Sequence, residues 1–249
     1  MSFSGITDIG LKRKNNQDYF RTATIGQAEI AVLCDGMGGA AGGAVASKLA
    51  ADSFLEYIEN NADALTEAQA IRDILLQAGN AAHMSVYNCA NEFIELDGMG
   101  TTLVACIYKD EMLYIINAGD SRLYTVSNGS IEKQTKDHSL IQDLLDKGVI
   151  NEEQAKNHPY KNYIMRALGT ETILNYDYFE CKKDFDYVLL CSDGLYNFVS
   201  DEDILNIIYS EKSNEEKTAS LVEAANKGGG GDNITAILLS KVLNDGKVL

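Results

Sequence analysis

Two apolar runs, Thr101–Ile107 and Met112–Asn117, are separated only by Tyr108, Lys109, Asp110 and Glu111. Parallel strands need a crossover of a dozen residues or more, so strands joined this closely form an antiparallel hairpin, which disfavours a βαβ fold. Three further runs read as strands: Glu29–Cys34, Tyr187–Cys191 and Ile234–Leu239. Most of these runs are continuous rather than alternating, and a continuous run implies burial on both faces. Helical spacing recurs at Ala46, Leu49, Ala50, Phe54, Tyr57 and Ile58, and again at Ile71, Ile74, Leu75, Ala78, Ala82 and Val86, giving two consecutive amphipathic helices. Strands in hairpins with paired helices between them predict an α+β protein of antiparallel sheets stacked face to face with helices outside. A strand covered by a sheet on one side and a helix on the other would carry such continuous runs.

A chain of 249 residues that is 45% hydrophobic can bury roughly 70–75% of the surface its unfolded form exposes and is short enough for one domain, 1–249. No repeat, low-complexity tract or Pro/Ser-rich linker divides it, and its only proline is Pro159. The polar, partly helical segment 137–163, from Asp137 to about Tyr163, is expected to be a surface flap. Lys and Arg number 21 against 37 Asp and Glu, for a formal charge of −16. That balance argues against nucleic acid or an anionic membrane as partner, and a phosphorylated substrate would need local positive charge. No run approaches the ~18 apolar residues of a spanning helix, and the first twenty residues hold Lys12, Arg13 and Lys14 but no long apolar core. Five cysteines (Cys34, Cys89, Cys106, Cys181, Cys191) include no CxxC pair and sit mostly in apolar runs, as small buried hydrophobes do. Together these features predict a cytoplasmic protein.

Carboxylates recur where the apolar runs stop: Asp35-Gly36, Gly119-Asp120-Ser121, Asp193-Gly194 and, before the last strand, Asp232-Asn233, with Asp18 as a fifth. Each Asp-Gly taken alone is a turn signal. Brought to one edge of a stacked sheet pair, four or five carboxylates could not all stay ionised without cations. An all-oxygen site suits Mg²⁺ or Mn²⁺, whereas Zn²⁺ would want histidine or cysteine. The cluster Gly36-Met37-Gly38-Gly39-Ala40-Ala41-Gly42-Gly43 joins a strand to a helix. It lacks the Lys-Ser/Thr of a P-loop. Gly36-x-Gly38-x-x-Ala41 fits a loose dinucleotide fingerprint, but Asp35 would face the pyrophosphate and no acidic residue ends a second strand about twenty residues on.

Taken in order, these stretches resemble the bacterial type 2C (PPM) family of metal-dependent serine/threonine protein phosphatases. They are Thr7–Asp18, Asp35–Gly39, Gly100-Thr101-Thr102, Gly119-Asp120-Ser121-Arg122, Asp137-His138-Ser139, Arg166-Ala167-Leu168-Gly169, Ser192-Asp193-Gly194-Leu195 and Gly231–Thr235. The resemblance spans nearly the whole chain. It implies a four-layer α-β-β-α sandwich, two antiparallel sheets flanked by helix pairs, which agrees with the hairpin and helix-pair reading. It further implies that Asp35 bridges two tightly bound Mn²⁺ or Mg²⁺ ions, that the Gly36 carbonyl joins the second, and that Asp193 and Asp232 hold the first. Asp18 would act through a metal-bound water, Asp120 with Asp193 would hold a weaker third ion, and Arg13 would grip the phosphate. A metal-bridging hydroxide would then hydrolyse phosphoserine and phosphothreonine in proteins, with Arg13, Asp35 and Asp193 as the catalytic set. The implied partners are phosphorylated proteins and a cognate serine/threonine kinase. A phosphatase for small phosphomonoesters is the alternative on the same chemistry, and a binding module on a dead scaffold is disfavoured because all five aspartates are present.

The chain departs from the family near the proposed site. Met37 and Ala40 stand where members carry a candidate acid histidine, Ala44 and Gln17 stand where glutamate is common, and Met165 replaces a usual threonine. The general acid is therefore unassigned. His83, His138 and His158 are expected to make structural hydrogen bonds rather than bind metal. Arg122 and Arg166 are expected either to contact substrate or to pair with carboxylates, and Gly228–Gly231 to deliver Asp232 through unusual backbone angles.

Overall fold

A computed structural model describes residues 2–156, 158–182 and 185–241. The chain opens with β1 (Ser2–Asp8), β2 (Asp18–Ile25) and β3 (Ala28–Met37), then α1 (Gly39–Asn60) and α2 (Ala68–Glu92). Next come β4 (Gly100–Thr101), β5 (Leu103–Lys109), β6 (Met112–Ala118), β7 (Arg122–Ser127) and β8 (Ser130–Lys133), followed by α3 (Leu140–Asp146) and α4 (Glu152–Lys156). The remainder is β9 (Asp177–Cys181), β10 (Tyr187–Cys191), α5 (Asp193–Tyr196), α6 (Asp201–Ile208), α7 (Asn214–Lys227) and β11 (Ile234–Ser240).

These strands form two sheets, one in the order β1-β11-β10-β7-β8 and one in the order β2-β3-β5-β6-β9 with β4 beside β3, and every described pairing is antiparallel. The expected hairpin is present. Lys109 faces Met112 across it, and its two-residue turn, Asp110-Glu111, takes positive φ at both positions, the mirror-image turn that matches strand twist. Tyr108 and Lys109, read from sequence as spacer, belong to the strand; Tyr108 is buried in edge-to-face contact with Phe185.

Side-chain alternation explains the continuous apolar runs. On β3, Ile30, Val32 and Cys34 pack beneath α1 and α2 with Phe54, Leu75 and Ala78, while Ala31 and Leu33 point into the space between sheets. On β10 and β11, Leu189, Cys191, Ala236 and Leu238 face the helices of the other side with Ile204 and Leu221, while Val188, Leu190, Ile237 and Leu239 meet the β3 and β5 residues. The result is the expected four-layer α-β-β-α sandwich with three apolar seams. The helix pair on the second face is α6 and α7, capped by Ser200 and Ser213, the latter in a reciprocal capping box with Glu216. Segment 137–163 leaves and returns at one place, because Ser139 bridges Ile164 and the Met165 N–H donates to the His138 carbonyl at 2.7 Å. No described helix is long and apolar enough to cross a membrane.

Candidate active site

Each sheet sends acidic residues to the same rim. Asp18, the first residue of β2, lies directly opposite Asp35 of β3. Carboxylates in that register are cross-strand neighbours, an arrangement that repels unless something neutralises it. From the other sheet come Asp193, which starts α5 immediately after β10, and Asp232, just before β11. Asp120 lies in the connection that carries the chain from β6 in one sheet to β7 in the other.

Hydroxyl groups and backbone fix these side chains. One oxygen of Asp18 accepts from Ser192 Oγ and Thr235 Oγ1, each at 2.7 Å. The Asp35 backbone is held by Thr101 and Thr102: its N–H donates to Thr102 Oγ1 at 2.9 Å, and its carbonyl accepts from Thr101 Oγ1 at 2.9 Å and the Thr102 N–H at 2.8 Å. Asn233 ties the N-terminal loop to the rim, accepting from the Gln17 N–H and donating to the Ile9 and Asn15 carbonyls. Tyr196 donates to the Asp120 carbonyl at 3.0 Å. Ser192, Thr235, Thr101, Thr102 and Asn233 lie within the stretches that carry the family resemblance, but their tasks become visible only in the fold. Their signal was a hydroxyl or amide within two residues of a strand-end aspartate or in the strand next to it.

Burial is the first cause that raises the carboxyl pKa values, and mutual repulsion adds to it. Asp18 and Asp120 are pushed up to about 6. Asp35 and Asp193 rise well above the usual range, Asp35 facing the charges of Asp18, Asp193, Asp120 and Asp232. Oδ1 of Asp18, Asp120 and Asp193 is buried with no hydrogen-bond partner. Among the described residues the cation paired with this group is Arg13, whose Nη2 donates to Asp232 Oδ2 at 2.6 Å. Three orphaned carboxylate oxygens in a repelling cluster fit divalent cations. Among the described residues no three His, Cys, Asp or Glu side chains close on a single point. An ion held here would therefore draw on backbone oxygens and water to complete its shell, as Mg²⁺ and Mn²⁺ can.

Two clefts open onto the cluster. One, of about 470 Å³, runs past Arg13, Gln17, Asp35, Gly36 and Met37. The other, of about 650 Å³, lies beneath segment 137–163 between Arg122, Lys161 and Tyr196. Both are lined by Arg13, Asp120, Asn162, Asp193 and Asp232. Five of the six predicted metal-binding positions, Asp35, Gly36, Asp120, Asp193 and Asp232, line the smaller cleft with Arg13, while Asp18 lines neither cleft and lies opposite Asp35 across the strand pair. Arg122 and Arg166 are engaged by carboxylates, one of the two expectations for them. Arg122 grips Asp137 through Nε and Nη2 and lies 3.5 Å over the Tyr196 ring, and Arg166 donates to Asp177 at 2.9 Å. Cys34 and Cys191 are fully buried with thiol pKa values pushed up, that of Cys191 to about 12. They are core residues, not nucleophiles.

The family profile described as protein phosphatase 2C matches residues 12–227. The serine/threonine phosphatase stp of Listeria welshimeri is 38% identical over 241 residues, covering 95% of this chain and 94% of that protein. The crystal structure of Stp1, a serine/threonine phosphatase from Staphylococcus aureus, superposes with a TM-score of 0.90 at 33% identity, over 97% of this chain and 95% of that one. The catalytic domain of the serine/threonine protein phosphatase PstP, solved in complex with two manganese ions, superposes at 0.82 with 31% identity, over 95% and 96%. With the four-layer fold, the aspartates at the rim of both sheets and these relatives in agreement, the chain belongs to the protein phosphatase 2C family.

Proposed function

We propose that this chain hydrolyses phosphoserine and phosphothreonine in proteins, using divalent cations, Mn²⁺ or Mg²⁺, held by the aspartate cluster. The observation that carries the reading is the meeting of five carboxylates from two sheets at one rim, three of them with a buried oxygen that accepts no hydrogen bond. Asp35, the Gly36 carbonyl, Asp193 and Asp232 would hold two ions, with Asp18 in support, and Asp120 with Asp193 would hold a third more weakly. Bound there, the cations supply an acidified attacking water and neutralise charge developing on the phosphoryl group. The protein's own side chains bind and orient. Arg13 stands where the two clefts meet and offers two phosphate oxygens the planar fork of a guanidinium. The flap, 137–163, roofs the larger cleft, and the substrates are proteins phosphorylated by a cognate serine/threonine kinase in the cytoplasm.

The test is turnover of phosphoserine, phosphothreonine and phosphotyrosine peptides with Mn²⁺, with a chelator as control. The first two should be hydrolysed only with metal, and the third slowly. Activity that survives chelation would remove the cations from the reaction. Hydrolysis of small phosphomonoesters with all peptides untouched would transfer the chemistry to a small-molecule substrate.

A further inference from the structure

Asp120 sits in the turn between β6 and β7, and that turn is gripped from the far side by a histidine that reaches neither cleft. His138 is buried. Its Nδ1 accepts the Gly119 N–H at 3.0 Å, and its own backbone N–H donates to the Gly119 carbonyl at 2.9 Å. Its other ring nitrogen, Nε2, lies 3.1 Å from both Asp177 Oδ2 and Arg166 Nη1; Arg166 Nη1 donates to the other oxygen of the same carboxylate at 2.9 Å, which leaves Asp177 Oδ2 as the acceptor for a proton on Nε2. An Nδ1 that accepts from an amide carries no proton, so the neutral ring must carry its proton on Nε2 and donate it to Asp177. A second proton would set two N–H groups against each other at Gly119. Burial and the nearby Arg166 charge also disfavour it, outweighing Asp177.

Gly119 has little freedom of its own. Its φ is +117°, and a side chain there would run into Thr102. Thr102 in turn shares a 2.7 Å hydroxyl contact with Ser121, and Tyr196 holds the Asp120 carbonyl. The Gly119 N–H, the Gly119 carbonyl and the Asp120 carbonyl are thus held, while the Asp120 Oδ1 is left with no partner.

We infer that His138, set in its Nε2–H tautomer by Asp177, is a positioning residue that aims Asp120 at the weaker cation, a role that rests on the assignment of that ion to Asp120. A carboxylate that orients an imidazole and thereby a ligand is the logic of outer-shell support in metal sites; here the imidazole acts through a backbone amide.

The experiment has two arms on the full chain. In the first, histidine is ¹⁵N-labelled and long-range ¹H–¹⁵N correlations are recorded without metal, the three rings being assigned by single substitutions. The His138 ring should show the Nε2–H tautomer and lose it in Asp177→Ala. An Nδ1–H ring in the unaltered protein, or a tautomer indifferent to Asp177→Ala, would overturn the inference. In the second arm, Mn²⁺ is titrated calorimetrically. His138→Phe, which keeps ring bulk but has no acceptor, should weaken the weaker class of site about 10- to 100-fold and spare the tight class. Asp177→Ala should act in the same direction, and His138→Asn, whose Oδ1 stands where Nδ1 stood, should restore binding. Equal loss at both classes, or no loss in a folded variant, would overturn it. If Asp120→Ala leaves every class of Mn²⁺ site unchanged, the third-ion assignment fails and takes the aiming role with it; a ring still found as Nε2–H would then show the tautomer to be right and the ion wrong.

Discussion

Asp35 shows most directly how a residue that function needs acts against folding. It is placed opposite Asp18 and faces three further carboxylates, so its pKa is driven up by burial first and by those charges second. Asp18 and Asp120, pushed up to about 6, keep protons in the folded, metal-free protein that the unfolded chain releases above about pH 4. Because the folded pKa is the higher one, the associated stability is complete below the unfolded value and is lost as pH rises through about 6. In chelator the Tm should therefore fall between about pH 4 and about pH 6.5, and Mn²⁺ should reverse the fall by binding the folded state. A Tm that is flat over that range would contradict the repulsion. For the same reason Asp35→Asn should raise the metal-free Tm yet lower turnover at saturating Mn²⁺ at least about 100-fold; a variant with more than about a hundredth of the activity would remove Asp35 from the reaction. Arg13 is half exposed beside Asp232, and exposed pairs contribute about 0–1 kcal/mol, so Arg13→Ala should hardly move Tm. It should raise KM for phosphopeptides more than it lowers kcat if the phosphate contact is equal in ground and transition states; an unchanged KM would exclude that contact. Asp35, Asp120, Asp193 and Asp232 were legible because each stands at the end of an apolar run, whereas Asp18 opens the half-exposed β2 and was legible only within the stretch Thr7–Asp18. The partners of Asp18 were not, since Ser192 and Thr235 lie 174 and 217 positions away and no local pattern records such a contact.

Among the elements, strands covered on both faces could be read and the others could not. β3, β5, β6, β10 and β11 have the continuous apolar runs that two covered faces require, whereas β2 is half-exposed along most of its length and β8 is polar and largely exposed, so neither shows a run. β7 is buried over its middle four residues but intersperses Arg122, Thr125 and Ser127 among Leu123, Tyr124 and Val126, so no continuous apolar run marks it. Two glycines explain how strand ends come close enough to place the aspartates. A methyl group on Gly36 would overlap the Gly43 carbonyl and crowd that of Gln17, and one on Gly194 would overlap the Asn233 carbonyl. The sequence marks both as Asp-Gly turns, yet neither has positive φ; the lack of a side chain matters here for backbone approach. Gly36→Ala and Gly194→Ala should each cost about 1–3 kcal/mol by overpacking, a loss of roughly 2–4 °C in Tm per kcal/mol for a chain of this size. Mn²⁺ affinity should fall with stability, because the methyl displaces the segments bearing Asp35, Asp193 and Asp232. Unchanged Tm with unchanged metal binding would show that these approaches are looser than the packing implies.

Across the whole molecule, the three histidines are all committed to holding the fold together, away from the clefts. His83 on α2 is buried and accepts the Gly169 N–H, His138 is fixed between Gly119 and Asp177, and His158 accepts the Tyr160 N–H in the flap. None lines either cleft, while Met37, which stands where relatives in the family carry a candidate acid, lines the one beside Asp35 and Gly36. A thioether cannot give up a proton. The departing alkoxide of serine is far more basic than an aryl phenolate, so without an imidazole acid its proton must come from solvent. Rates over a series of aryl phosphates should then fall steeply with leaving-group pKa, measured as kcat/KM where chemistry limits turnover. Met37→His should flatten that dependence by helping poor leaving groups selectively, and single replacement of His83, His138 or His158 should leave the slope unchanged even where it lowers the rate. If one of those replacements steepens the slope while tight Mn²⁺ binding persists, that histidine is the acid, and the fold must bring it to the cleft in a conformation other than the one described.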